Sequence, residues 1–469
     1  MFRLARSLPV ALLVIAILAC NATTQTLPAQ TEPAAATSQP QDTATVQPPP
    51  ADTPAPQPTD TPAASPTPTA PPSLAIDPQT LGQMHLLWSM SAPGTGNPIN
   101  FAQCMSTTCD MLTRIGAYAF SPDNSLLAVA VCKDGATQDM SGGNGKLFAC
   151  PGGGEVQLYP TASGATHDTL AIDGFPRALA FDPTGKTLAV GTSDGHVDLW
   201  DLASQQKLRT LQHPSKRTGV ISLAFSPDGT LLFSQGDGKI VAWDPEKGTN
   251  LKTMSGYGAM SFDAAGQNLV ASWYDGNTAA VIVRIINLAH FGQKDIRPKF
   301  VQPNMFNTNI RSAFSPDGQK LVIIGANGAE WWDAQGTKME GHTDVNKLIQ
   351  SKKEDAFSAV GPFLPNGLVL TEPGLGISMP GMPMPSFNFS GTLTCGFALW
   401  DPTMPGAYDI ANPPGGCQAP TAMGDSQRAV VSPDGSLVAA DDGGGNLRIW
   451  GVDATAAPVE PTCLGTCQH

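Results

Sequence analysis

Three methionines, Met379, Met382 and Met384, stand in the uncharged stretch SMPGMPMPSFNFSG that opens at Ser378. Thioether sulfur is a soft ligand that favours copper(I), so metal binding is one chemistry these residues offer. Against it, prolines separate the sulfurs and no histidine lies nearby in sequence. Two other readings use the same residues. In one, Phe387 and Phe389 tuck inward and the loop is local packing. In the other, Met379, Met382, Met384, Phe387 and Phe389 present an adaptable apolar patch to a protein or peptide, because thioethers repack easily and rings bury large areas. The sequence leaves all three open.

No second constellation rises to that level. The seven histidines, His85, His167, His196, His213, His290, His342 and His469, are scattered with no HExxH pair. No GxSxG elbow is present, and the GGNGK run at Gly142–Lys146 lacks phosphate-loop spacing. Asp441 and Asp442 fall in a tight turn, where aspartate serves the backbone. The end Cys463-Leu-Gly-Thr-Cys467-Gln-His469 holds ligand-type residues, but a small disulfide loop is the simpler reading. The expectation is a chain with no catalytic residues, no resident metal and no cofactor.

The elements that position these residues repeat. Seven four-residue turns punctuate the chain: Ser121–Asn124, Asp182–Gly185, Ser226–Gly229, Asp263–Gly266, Ser315–Gly318, Leu364–Gly367 and Ser432–Gly435. Three of the seven read Ser-Pro-Asp-Gly, where proline presets φ and glycine accepts the left-handed closing position. A hairpin pair follows in several units, as in Asp194-Gly195, Asp237-Gly238, Asp275-Gly276 and Asn327-Gly328. Units then close at Pro160, Trp200-Asp201, Trp243-Asp244, Asn287, Trp332-Asp333, Trp400-Asp401 and Trp450-Gly451.

This pattern resembles the WD40-repeat β-propeller, whose four-stranded repeats often end in Trp-Asp. The resemblance covers roughly Gly82 to Asp453 and implies an all-β, seven-bladed ring. It departs from the family in that a Gly-His pair is clear only at Gly341-His342. In the third unit, His213, Asp237 and Trp243 match the family's stabilising hydrogen-bond set. The strand Met84–Met90 has no unit of its own, and the last unit lacks an outer strand. Closure of the ring by that N-terminal strand resolves both.

An antiparallel meander places the long connections at one end. They are Ser91–Gly116, Val131–Gly154, Pro298–Asn309, Gly341–Asp355, Pro373–Thr394 and the stretch around Cys417. The cysteines follow. Apart from Cys20, eight remain: Cys104, Cys109, Cys132, Cys150, Cys395, Cys417, Cys463 and Cys467. An even set in an exported chain reads as disulfides, and 105 connectivities are open to eight cysteines. Nearest-neighbour pairing would put three bridges on the insertion-bearing face, the side that usually binds partners in repeat folds.

The beginning of the chain suggests export. Arg3 and Arg6 precede an apolar run, Leu8–Ala19, too short to cross a bilayer core of about 30 Å. Leu18-Ala19-Cys20 resembles a bacterial lipobox, which implies an acylated Cys20. Asn21 to about Ser73 is rich in Pro, Thr and Ala, and is expected to be a disordered tether. Loss of residues 1–19 removes two positive charges and no negative one from a net charge of −13, leaving −15. Charged residues are 14% of the chain, and no basic run appears, which excludes the clustered cations of a nucleic-acid binder.

The expected layout is a lipoprotein signal peptide at 1–19, lipidated Cys20 and linker at 20–74, a propeller at 75–455 and a tail with a small disulfide loop at 456–469. The expected role is a monomeric, non-catalytic interaction scaffold, lipid-anchored to the outer face of the cytoplasmic membrane or to an outer membrane if one exists. The alternative is a small-ligand or metal-binding propeller, including an enzyme.

Overall fold

The computed structural model describes residues 75–92, 108–111, 115–134, 136–139, 148–165, 168–215, 217–276, 278–301, 310–325, 328–344, 362–371, 396–403, 406–411, 429–441, 446–455 and 462–465. A single 3-10 turn, Leu81–Gln83, leads into strand β1, Met84–Ser91. There follow β2 (Thr108–Met111), β3 (Ile115–Phe120), β4 (Leu126–Cys132), β5 (Ala136–Asp139), β6 (Phe148–Ala149), β7 (Gly154–Pro160) and β8 (Asp168–Ile172). Then come β9 (Pro176–Phe181), β10 (Thr187–Thr192), β11 (His196–Asp201), β12 (Gln206–Gln212), β13 (Ser222–Phe225), β14 (Leu232–Gly236), β15 (Lys239–Asp244) and β16 (Thr249–Ser255). Further on lie β17 (Met260–Phe262), β18 (Asn268–Asp275), β19 (Ala280–Asn287), β20 (Gln293–Ile296), β21 (Arg311–Phe314), β22 (Lys320–Gly325), β23 (Gly328–Asp333) and β24 (Met339–Asp344). The last are β25 (Val369–Thr371), β26 (Gly396–Trp400), β27 (Gly406–Ala411), β28 (Val430–Val431), β29 (Leu437–Asp441), β30 (Asn446–Val452) and β31 (Thr462–Gly465).

Among the described residues these strands form seven four-stranded antiparallel sheets and one of three strands. The first is β3-β4-β7-β8. The next four are β9 to β12, β13 to β16, β17 to β20 and β21 to β24, each a meander. The sixth is β25-β26-β27-β31, and the seventh is β28-β29-β30-β1. In each meander the hairpin turns after the first and third strands share one end, here the turn end. The second-to-third turns and the connections to the next sheet share the other, the crossing end.

The Ser-Pro-Asp-Gly turns are hydrogen-bonded cassettes. Ser121, Ser226, Ser315 and Ser432 each donate Oγ–H to the aspartate two residues on, at 2.5–2.6 Å. Each serine Oγ also accepts a backbone N–H from five residues on, at 2.9 Å. Where aspartate replaces serine, its carboxylate takes over that acceptance, as Asp182 does for Thr187 N at 2.7 Å. The serine hydroxyls hold the Asp123, Asp228 and Asp317 carboxyls below the ordinary carboxylate range. The fourth position needs φ > 0, met by Gly229 at 73° and by Asn124 at 59° in the first turn.

Both faces of the middle strands are apolar, because each sheet lies between two others. In β4, Leu127, Val129 and Val131 join a core with Ala439, Leu447 and Ile449 of the seventh sheet. Ala128 and Ala130, pointing the other way, join Leu188, Val190 and Trp200 of the second. Shared cores continue between the second and third sheets, third and fourth, fourth and fifth, fifth and sixth, and sixth and seventh. Every sheet thus shares one core with its predecessor and another with its successor, and the seventh shares one with the first.

The N-terminal strand is the outer strand of the seventh sheet: β1 pairs with β30 from Met84↔Val452 to Ser91↔Asn446. A register shift between Leu86 and Trp88 leaves Leu87 exposed. Trp88 then donates Nε1–H to Thr161 O at 2.8 Å and packs on Tyr159, tying the seventh sheet to the first. Tyr159 belongs to a polar ladder, donating to Gln157 Oε1 at 2.6 Å, while Gln157 donates to Glu155 at 2.5 Å. Burial, with the Glu155 charge second, pushes the Tyr159 phenol up to about 12. Ahead of β1, Ile76 donates its N–H to Gly435 O at 2.9 Å and accepts from Asn366 Nδ2 at 3.0 Å. The chain therefore enters the fold at the turn end.

The sixth sheet differs from the pattern. Among the described residues its first strand is the bridge Phe363↔Val369, and its far edge carries β31, paired from Gly406↔Gly465 to Asp409↔Thr462. Sequence reasoning assigned 456–469 to a tail with a disulfide loop. The described part of that segment, Thr462–Gly465, is β31 on the edge of β27, and Cys467 lies outside the described residues.

Candidate interaction surface at the crossing end

At the crossing end of the third, fourth and fifth sheets, large apolar side chains face solvent on connections that are firmly held. Ile221, Tyr257 and Phe300 are 37%, 47% and 43% exposed, far above the buried residues beside them. Phe300 stacks on His342 of β24 with ring centroids 3.7 Å apart and planes within 3°. Tyr257 lies over the Asp237-Gly238 turn, where a Cβ on Gly238 would sit 2.7 Å from its hydroxyl. Asp237 and Gly238 have φ of 44° and 72°, the geometry of the tight hairpin that their sequence announces.

Two carboxylates fix this surface from beneath. Asp237 accepts the backbone N–H groups of Arg217 and Thr218, both at 2.9 Å, on the crossing from the second to the third sheet. Fully buried Glu330 accepts N–H from Phe300 and from Val301, the latter at 3.0 Å, and Nε1–H from Trp332 at 3.2 Å. These bonds seat Val301 in the core and leave Phe300 outside. Replacing Glu330 by leucine strands two backbone donors at about 1–3 kcal/mol each. The expected result is a global loss of about 2–4 kcal/mol by urea unfolding, with faster amide exchange at 300 and 301. An unchanged midpoint would show that the crossing is held by other contacts.

The insertions of the first sheet meet at the same end. β2, from the segment following β1, pairs with β5 from the β4–β7 insertion, and β5 pairs with β6. Cys132 and Cys150 are disulfide-bonded at the base of this insertion, with Cα atoms 5.6 Å apart. The bridge packs on Phe175 of the next crossing. Glycine at 154 permits this approach, since its Cβ would lie 2.3 Å from Gly174 O. Cys109 lies on β2 and Cys463 on β31, opposite Tyr408. Cys20, Cys104, Cys395, Cys417, Cys467, Met379, Met382, Met384, Phe387 and Phe389 lie outside the described residues.

The set expected around His213 is present in altered form. Trp243 Nε1 donates to Ser234 Oγ at 2.8 Å, and His213 Nδ1 accepts from Ser215 N at 3.1 Å. Asp237 spends its carboxylate on the crossing backbone as described. Burial lowers the His213 imidazole to about 4, so it is neutral at physiological pH.

Nearer the centre, Arg311 on β21 is pushed down by burial, while Tyr118 of the first sheet favours its charged form. Tyr118 Oη in turn accepts Asp441 N of the seventh sheet at 3.3 Å. A cavity of about 290 Å³ opens at the turn end, lined by residues such as Phe314, Pro316, Phe363, Pro365, Val431 and Pro433. Its lining holds no ionisable side chain, so it offers neither acid, base nor metal ligand. Among the described residues no three His, Cys, Asp or Glu are grouped to hold a metal ion, and no helix is long and apolar enough to cross a membrane.

Sequence reasoning named the crossings at Pro298–Asn309 and Gly341–Asp355 but missed Ile221, Tyr257, Phe300 and His342 as a surface. The signals were Gly256-Tyr257-Gly258, an aromatic between glycines, and the Gly341-His342 pair.

The WD domain, G-beta repeat family matches residues 167–201 and 205–244, so the chain contains WD40 repeats. The chain is 27% identical over 199 residues to target of rapamycin complex subunit wat1 of Schizosaccharomyces pombe, spanning 39% of this chain and 59% of that protein. It is 36% identical over 78 residues to protein groucho of Drosophila melanogaster, 16% of this chain and 11% of that one. The matches therefore span under two thirds of these relatives. Among solved structures, a chain of a mitotic checkpoint complex aligns with TM-score 0.51 and 16% identity over 82% of this chain and 99% of that one, which shows a shared fold.

Proposed function

We propose that this chain is a non-catalytic interaction scaffold: a seven-bladed propeller, closed by β1, that holds a protein or peptide at its crossing end. One observation carries the reading. Exposed Tyr257, Phe300 and His342, with the Phe300–Val301 backbone held by buried Glu330, share the end that carries the disulfide-based insertion sheet, while the opposite end has short turns. The unbroken succession of shared cores supports the closed ring. A rigid ring presents loops with little ordering left to lose on binding, which favours affinity. A relative named as a complex subunit fits this role by analogy, and fold alone does not assign it.

The leader and Cys20 make the scaffold a lipoprotein, tethered outside the cytoplasmic membrane by the Pro/Thr-rich linker. Because the chain enters at the turn end, the crossing end is the one opposite that entry. The Met/Phe loop at 378–390 and the three staples at Cys104–Cys109, Cys132–Cys150 and Cys395–Cys417 extend the same surface in this proposal.

In-cell crosslinking followed by pull-down tests it, comparing the intact chain with one whose Ser378–Ser390 loop is a Gly/Ser turn and one carrying Tyr257→Ala with Phe300→Ala. A defined partner captured by the intact chain should be lost from the double variant. Anchor truncations of this kind typically cost about 2 kcal/mol or more, over tenfold in affinity. Equal capture by all three chains would remove the crossing end from consideration.

A further inference from the structure

We propose that the turn end carries a second docking site, a notch beside Gly318 that takes a proline ring from an extended segment of a separate partner, with lysines or arginines flanking that proline. The site is independent of what the crossing end holds.

The notch is a break in a repeated contact. At the turn end, the proline of one turn lies on the glycine of the turn in the next sheet. A Cβ on Gly185 would sit 3.6 Å from Pro122, one on Gly229 3.4 Å from Pro183, and one on Gly266 3.4 Å from Pro227. The contact returns at Gly367, 2.9 Å from Pro316, and at Gly435, 3.0 Å from Pro365. The fourth turn reads Asp263-Ala264-Ala265-Gly266, so it offers Gly318 no proline. Nothing lies within 4 Å of where a Cβ on Gly318 would be. Its own turn keeps the common shape, with φ of 68° and Gly318 N donating to Ser315 O at 2.8 Å. What is missing is the neighbouring ring.

The cavity of about 290 Å³ reaches this break. Ser261 of β17 and Phe314 of β21 line it together with the exposed rings of Pro316, Pro365 and Pro433. An aromatic- and proline-lined recess suits proline, whose extended segment is ordered before it binds. Charge decides whose proline enters. The turns at this end carry Asp123, Asp182, Asp228, Asp263, Asp317 and Asp434, against Lys186 and Lys320 just after two of them. Such a rim favours a cationic segment and disfavours an acidic one. Residues 20–74 of this chain are rich in proline, but they hold Glu32, Asp42, Asp52 and Asp60 with no lysine or arginine. They are therefore the poorer occupant. With a partner at each end, the scaffold would hold two molecules together.

Fluorescence anisotropy on the full chain tests this with labelled short peptides: prolines flanked by lysines, prolines flanked by glutamates, and the lysine-flanked form with alanine for proline. Saturable binding of the first alone is expected, weakened by added salt. Ala264→Pro gives the fourth turn the ring that its neighbours have, at a turn position that favours proline, and should hold or raise the urea midpoint. It should weaken the lysine-flanked peptide by about tenfold or more. Ala264→Leu, which fills the space without fixing φ, should act the same way. Tyr257→Ala with Phe300→Ala should leave the affinity unchanged, which separates this site from the crossing end. Three results would each overturn the proposal. They are equal binding of the glutamate-flanked peptide, no binding of the lysine-flanked one (as when residues 20–74 fill the notch), and full affinity in the folded Ala264 variants.

Discussion

A chain that begins after Ser91 should lose its cooperative unfolding transition altogether. The missing segment carries Ile76, Leu81 and Met84, each no more than 1% exposed, in the core between the sixth and seventh sheets. Burying such side chains contributes about 1.5–3 kcal/mol apiece. Three of them amount to roughly 5–9 kcal/mol, set against about 5–15 kcal/mol for a whole domain. Removal also deletes Trp88 and bares β30, so the seventh and first sheets lose one of the links between them. Leu81→Ala is the milder control, expected to cost about 2–5 kcal/mol while keeping one transition. Urea unfolding followed by tryptophan fluorescence checks both. A truncated chain with one transition at the original midpoint would mean that β1 decorates the fold rather than closing it.

Acidification should weaken the fold through His213 before the turn aspartates titrate. Its imidazole ring is 1% exposed and protonates near 4 when folded, against about 6.5 when unfolded. Stability from this group is complete above about 6.5, declines as the unfolded chain alone takes up a proton, and is lost once pH falls through about 4. The difference corresponds to about 3 kcal/mol. Denaturant unfolding between pH 7 and 4, compared with His213→Gln, should show a shallower pH slope in the variant. Parallel slopes would mean that the ring is already solvated in the folded state.

The repeat architecture was legible because backbone geometry writes itself into composition. Ser-Pro-Asp is required four times by the same two hydrogen bonds, and Asp237-Gly238 by two positive φ angles. The pairing of β1 with the last sheet was legible from counting strands. What the sequence hid depended on three-dimensional neighbours. Phe300 and Val301 are adjacent apolar residues, and only the reach of Glu330 from 29 residues away decides which one faces out. The strand at Thr462–Gly465 was read as a tail because pairing with β27 leaves no local signature in four residues. The Met/Phe loop, the first candidate by composition, falls outside the described residues, so its three readings stand as they did.

The most direct test of the account places a photo-crosslinking residue at Tyr257, at Phe300 or at Gln319, an exposed position in a turn-end loop. Each full-length chain is irradiated in its own cells and the adducts are identified by mass. The account predicts one shared partner from positions 257 and 300 and none of it from 319. The same partner captured from 319 alone, or equally from all three, would contradict binding at the crossing end.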